Sequence, residues 1–446
     1  MNRISQSNLW PKRLTVAAAS AAAILVAGSA WVSPARSDEH GPSRSARSMA
    51  AQGRQTFRYD TFGDEAFWGG ALKLHQAIAG SRLGGVGPGV SPRTALAVGL
   101  KVDLDALPDS LQHDLAQGRV NLDDPATTLA LLKLNAVVGL AAFFDSAGQI
   151  TSLGIQCALC HSVVDNSLAP GIGHRLDGWA NRDLNVGAIV SLSPDLSPVA
   201  HVLGVDEATV RSVLNAWGPG KFDAELLLDG KGFRPDGKTA AVLIPPAFGL
   251  AGVNLGTWTG FGSTTYWNAL VANLEMHGQG TFFDPRLKDP VQFPVAAKNG
   301  FADVRHTPDL ITGKLAALHY YQLGLPAPNP PKAQFPFDSS AQLGKDLFNG
   351  KAQCARCHVP PLFTEPGYNM HTADEIGIDD FQAKRSPTGM YRTAPLRGLF
   401  SHQKGGFYHD GRFPTLRAVV DHYDDLLRTG LSDEEKTELV AYLLTL

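Results

Sequence analysis

This sequence predicts a mainly α protein, with two similarly built units behind a helical N-terminal extension. Three observations lead there. The stretch "QCALCHSV" (156–163) reappears as "QCARCHVP" (353–360), so a Cys-x-x-Cys-His motif occurs twice. Apolar residues recur at helical spacing on either side of both copies. No segment shows the sustained apolar–polar alternation of a strand-rich region.

The bulk composition sets the frame. A chain of 446 residues is too long for one small core and fits two or three packed units. Its 44% hydrophobic and 18% charged content is that of an ordinary globular protein, and 46 glycines and 29 prolines imply many turns and ordered loops. A net charge of −3 provides no broad basic face, which argues against nucleic acid as a partner. At the N-terminus, Arg3, Lys12 and Arg13 precede an apolar, alanine-rich run from Leu14 to Ala27, and small residues follow as far as Ala35. Residues 1–35 read as a secretory signal peptide, implying export to a periplasm and no stable membrane span after processing. An uncleaved anchor is the competing reading, but the run is shorter than the roughly 20 residues a span needs.

All four cysteines lie in the two motifs: Cys157 and Cys160 before His161, and Cys354 and Cys357 before His358. Two thiols two residues apart on one helical turn can reach the two vinyl groups of a haem and form thioethers. The next residue, a histidine, then lies over the iron. The spacing therefore predicts two covalently bound haem c groups, with His161 and His358 as proximal ligands. A four-cysteine zinc site would leave both adjacent histidines unexplained. A dithiol redox pair would need a βαβ setting.

Along the chain, residues 38–56 are polar and expected to be a leader, and 57–155 a helical N-terminal extension. Within that extension, Phe67, Leu72, Leu74 and Ile78 recur at helical spacing, and a second helix over 123–140 is capped near Asp124 with Pro125 at its first position. The first haem domain spans 156–325, with a helix at 206–217 and a long Gly- and aromatic-rich insertion. A proline-rich linker covers 326–336. The second haem domain, 337–446, opens on a helix leading into its motif. It closes on "SDEEKTELVAYLLTL", where Ser432 and Glu435 form a capping box and Leu439, Tyr442, Leu443 and Leu446 share a face. This is the layout of a cytochrome c-like domain.

From about residue 150 onward, and most strongly after 337, the chain resembles the bacterial dihaem cytochrome c peroxidase and MauG superfamily, and more remotely the rubber oxygenases. The match is carried by "YRTAPLRGLFSHQKGGFYHDGRFPTLRAVVDHY" (391–423), in which the tyrosine directly precedes the His-Asp-Gly. The resemblance implies that His174, in "PGIGH", stands where the peroxidases keep the sixth ligand of the N-terminal haem. An ordinary loop histidine is the other reading. It implies Tyr423 as the second ligand of the C-terminal haem, against a core tyrosine on an amphipathic helix or a ligating His422. Met390, His409, Met276 and His277 are lesser ligand candidates. The family also binds Ca2+ between its haem domains, a pattern that Thr393 and Pro395 match weakly and Asn181 matches one residue out of step.

Two family features are missing. The inter-haem tryptophan is absent from "GAIVSLSPDLSP", leaving Trp179 and Trp217 as substitutes or core residues. The peroxidase acid in its Asn-Pro-x-Glu-Met setting is absent too, leaving Glu275 in "LEMHG". The expected function is an exported dihaem oxidoreductase, with His174 and Glu275 as candidate catalytic residues. A small periplasmic electron-donor protein would reduce the C-terminal haem, and hydrogen peroxide or oxygen would be reduced at the N-terminal haem. A non-catalytic electron-transfer cytochrome and a MauG-like or rubber-oxygenase-like enzyme acting on a bulky substrate are the alternatives.

Overall fold

The computed structural model describes residues 41–446, so the expected signal peptide lies outside the described residues. About 42% of the chain is helical, and among the described residues the strands form two-stranded ribbons. Helices therefore do most of the packing, as the periodicity implied.

The polar stretch expected as a leader is instead part of an α-helix, Gly41–Tyr59. Its C-terminal part buries Thr56 and Phe57, and Gly53 lets it lie tight against the helix Thr312–Leu323: a Cβ at 53 would stand 1.9 Å from the Ala317 carbonyl oxygen. Arg58 completes the docking with an ion pair to Asp177 (2.6 Å). Composition missed this helix because its apolar residues are few and its partner lies far along the chain.

The extension is less helical than the pattern suggested. A π-helix, Ala66–Ala71, and a short α-helix, Leu74–Ala79, are separated by Lys73 in the left-handed region (φ 56°). The second helix starts as expected, with the Asp124 side chain accepting from the Ala126 amide and Pro125 leading, but ends at Lys133. Asn135 (φ 52°) stops it, and Val137 and Val138 run on towards a hairpin, Leu140–Phe144 with Ile150–Ile155. β-Branched residues ahead of Gly139 favour the extended chain over another helical turn. The hairpin delivers the chain to the first cysteine motif.

After that motif come a ribbon of Ser162–Val164 with Arg175–Asp177 and the helix Glu207–Trp217, which the sequence places at 206–217 and Asp206 caps. The insertion builds its own core around Phe261, Trp267, Phe282 and Phe293. In the last unit the helices Ser339–Asn349 and Asp433–Leu443 pack closely. Gly344 permits this, since a Cβ there would lie 2.0 Å from the Glu438 carbonyl oxygen. The Ser432–Glu435 capping box forms on both sides, and Leu439, Tyr442 and Leu443 are buried; each such leucine stabilises the packing by ~1.5–3 kcal/mol. Residues Ser45–Leu446 form one compact unit.

Candidate functional site

The second motif opens onto a cavity of about 420 Å³ lined by Cys354, Cys357, His358, Tyr408, His409 and Tyr423 among others. Gln353, in the left-handed region (φ 58°), turns the chain into the short helix Cys354–Arg356. The His358 ring donates from Nδ1 to the Phe363 carbonyl (3.1 Å), which leaves Nε2 with its lone pair free. Burial holds this imidazole below its ordinary pKa, in the neutral form a metal requires.

Tyr423 comes from the helix Leu416–Leu427, whose N-cap is the Thr415 side chain. Burial raises its phenol pKa, and the two thiols are close enough to add to the effect. The neighbouring His422 is committed elsewhere, its Nε2 lying 2.8 Å from the Ile376 carbonyl. The Tyr408 hydroxyl faces that of Tyr423, and the buried His409 Nε2 has no hydrogen-bond partner. His409 is buried against the Tyr391 ring (centroids 5.2 Å apart), and Met390 is exposed. Glu365 gathers the Thr393 hydroxyl (2.5 Å) and His371 Nε2 (2.6 Å), and this carboxylate, His371 and Cys357 have ligand atoms within 4.8 Å of one another.

The first motif sits against an apolar cluster. Cys157 caps the turn Ala158–His161, and Cys157 and Ala158 belong to an apolar cluster with Phe57, Phe62, Met276 and Leu318. Burial pushes both thiols up to about 12 and His161 down to about 4, against the raising effect of the Pro245 backbone carbonyl beside its ring. Thiols raised this far are poor nucleophiles and poor metal-binding thiolates, whereas thioether formation needs no thiolate in the finished site. Asp64, fully buried, takes the Ile155 amide with both carboxylate oxygens (3.2 and 3.3 Å), fixing the strand two residues before Cys157. Burial pushes the Asp64 carboxyl up to about 10.

Both motifs thus fit a covalent c-type haem: paired thiols, a neutral imidazole and, at the second, a cavity with unpartnered buried polar atoms. The sequence-derived distal groups are placed less favourably. His174 lies on the surface, half-exposed, with Nδ1 2.7 Å from the Asp105 carboxylate. The ribbon pairs Ser162 with Asp177 and Val164 with Arg175, so His174 sits roughly 13 Å along the ladder from the His161–Gly178 hydrogen bond. Glu275 is buried in another cluster, near Asp223 and Glu225 around Arg385, and burial raises its pKa well above that of an ordinary carboxyl. Met276, beside it, is the candidate that packs into the Cys157 cluster. Asn181 spends its amide on the Gly99 and Leu159 carbonyls, and the Thr393 carbonyl is taken by the Thr364 hydroxyl.

Of the two tryptophans, Trp217 packs in the core against Phe222 (5.3 Å). Trp179 lies between the motifs. Gly178 N–H is bonded to the His161 carbonyl, and the Trp179 ring meets Phe248 (6.4 Å) and Phe400 (6.0 Å) edge-on. Phe248 in turn meets His402 (6.1 Å), which lines the cavity. Sequence reasoning missed Asp64, Arg182, Arg385 and Arg392. Single charged residues in loops have no periodicity or spacing that would have marked them.

No family model matches the chain. A methylamine utilization protein MauG from Methylorubrum extorquens is 30% identical over 154 residues, covering 29% of this chain and 43% of that protein. The cytochrome-c peroxidase IdrP1 of a Pseudomonas species is 29% identical over 137 residues, covering 23% of this chain and 35% of that protein. The chain is similar to both. In each case the match spans less than half of the relative. A hydrazine synthase structure from Kuenenia stuttgartiensis aligns at 22% identity over 36% of this chain and 60% of its own, with a TM-score of 0.23 that carries no argument.

Proposed function

We propose that the protein is an exported dihaem c-type oxidoreductase of the peroxidase and MauG kind. In this reading its second site accepts electrons from a small donor protein, and its first site meets hydrogen peroxide or oxygen. The observation that carries the reading is the second motif, where paired thiols, an oriented neutral imidazole and a half-buried tyrosine share one cavity. The likeness to a MauG protein and to a cytochrome-c peroxidase supports the same chemistry.

A bound haem supplies one-electron chemistry and a place for a small oxidant; the chain sets access, orientation and protons. Phe363 holds His358 in one tautomer. Tyr423 faces the cavity, while His422 is held by Ile376. Trp179, Phe248 and His402 form a packed aromatic series between the two motifs. Burial raises the Asp64 carboxyl to about 10, so it can hold a proton beside the first motif.

One observation favours the rival reading of an electron-transfer cytochrome: neither His174 nor Glu275 stands among the contacts of the first motif. The deciding experiment adds hydrogen peroxide to half-reduced protein while the Soret and visible bands are followed, with fully oxidised protein as the reference. A rapid change in the bands of one haem, reversed when donor is supplied, supports the enzyme. Slow reoxidation or bleaching alone supports the carrier.

A further inference from the structure

Two arginines line the second cavity without the carboxylate partners that buried arginines ordinarily have. Arg182 is 5% exposed. Its Nη1 donates to the Lys404 carbonyl (3.3 Å) and its Nε has no partner. Arg392 donates from Nε to the Thr257 carbonyl, and its Nη1 has no partner. Among the described residues, neither arginine forms an ion pair with an Asp or Glu. Burial pushes both guanidinium groups down to about 10, the direction expected when charge is desolvated and not compensated. An uncompensated buried charge is costly, by several kcal/mol per ion.

Arg182 is also held firmly in place. Asn181 before it is bonded to the Gly99 and Leu159 carbonyls, and its own amide donates to the Cys160 carbonyl of the first motif (2.9 Å). Asp183 after it pairs with Lys101 (2.6 Å) and with Lys404. Arg392 is fixed by its amide bond to the Trp258 carbonyl (3.1 Å). The cavity therefore presents two preset cationic forks. One comes from the segment tied to the first motif and one from the second unit.

We propose that Arg182 and Arg392 are carboxylate anchors for the second site, each taking one propionate of the haem held by Cys354 and Cys357. The inference rests on the haem reading above. Bidentate guanidinium–carboxylate pairing would satisfy the open Nε and Nη1 donors and neutralise both uncompensated charges. It would also explain why the first unit reaches into the second unit's cavity: Arg182 makes the anchoring of one haem depend on the segment hydrogen-bonded to the other motif.

The test uses the full-length protein produced with haem attachment, comparing wild type with R182Q, R392Q, R182K and R392K. Haem per chain is measured by pyridine haemochrome, and the midpoint potential of each haem by spectroelectrochemical titration. Removing a positive charge beside a propionate disfavours the added electron. Each Gln variant should therefore shift one haem's reduction equilibrium towards the oxidised form by roughly tenfold, about 59 mV for a one-electron couple, while the other haem is unmoved. The Lys variants should recover much of the shift. Loss of the second haem in the Gln variants, with retention in the Lys variants, would support the same assignment. Two haems per chain with unchanged midpoints in both Gln variants would overturn it and leave the haem reading standing. A wild-type chain without covalent haem would overturn both.

Discussion

The two cysteine motifs are nearly identical as sequence and differ sharply as sites. The second faces a cavity of about 420 Å³, its histidine oriented by the Phe363 carbonyl and its walls carrying Tyr423, His409 and two unpaired arginines. The first is wrapped in aliphatic and aromatic side chains from the N-terminal helix and the insertion, with the Pro245 carbonyl beside the His161 ring. The same five-residue motif therefore says where a haem would attach and little about what surrounds it. The surroundings come from other segments, Met276 and Leu318 at the first motif and His409 and Tyr423 at the second, and it is the surroundings that set ligation, access and potential.

The sharpest way to break this contrast is to remove one attachment at a time. Cys354→Ser with Cys357→Ser is expected to halve covalent haem and abolish the bands assigned to the Tyr423 site. Cys157→Ser with Cys160→Ser should halve it too but leave those bands intact. Pyridine haemochrome and resonance Raman spectra distinguish the two. Identical spectral losses from both double variants would erase the difference between the sites.

The next largest effect concerns the framework between them. Arg385 is fully buried and pairs with Asp229 (2.8 Å) and Asp223 (2.9 Å). Arg385→Ala leaves buried carboxylates unpaired and should cost about 3–5 kcal/mol, read as a lower midpoint in chemical denaturation. A loss under about 1 kcal/mol would mean the acid cluster is already neutral.

What could be read from the chain and what could not divides along the same line. Local signals held: Asp124 and Pro125 start their helix, and Ser432 and Glu435 box the last one. Each depends on residues within one turn. Long-range pairings were not legible. The polar 41–56 stretch becomes helix because residues near 317 and Asp177 receive it, and the 123–140 pattern breaks because Val137 and Val138 lead into a hairpin. For the site, the cysteines and histidines announced themselves by spacing. Arg182, Arg392 and Asp64 acquire meaning only from burial without a charged partner.

Asp64 tests the packed side of the contrast. Its carboxyl is raised to about 10 in the folded protein, so the folded state holds a proton that the unfolded chain releases near its ordinary value of 3.8. Stability from this group is thus fully present below pH 4 and is lost progressively as pH rises towards 10. Asp64→Asn keeps an acceptor for the Ile155 amide without the ionisation, and should stabilise the protein increasingly between pH 5 and 9. Asp64→Ala should cost about 1–3 kcal/mol at acid pH through the lost hydrogen bond. Thermal melts across that pH range check both, and a pH-independent difference between Asn and wild type would refute the linkage.

Smaller effects separate the ligand candidates. Tyr423→Phe should shift the bands of the second haem alone. His174→Ala should leave both haems' spectra unchanged, because His174 faces solvent beside Asp105. That partner holds the imidazole above its ordinary pKa, so any stability from the pair is present at acid pH and lost as pH rises through neutrality.

The most direct single measurement is the intact mass of the purified, denatured full-length protein together with its haemochrome absorbance. The expected result is one chain carrying two haems that denaturation does not remove. A mass without added haem, or with one haem however the protein is produced, would contradict the claim that both motifs are covalent haem sites.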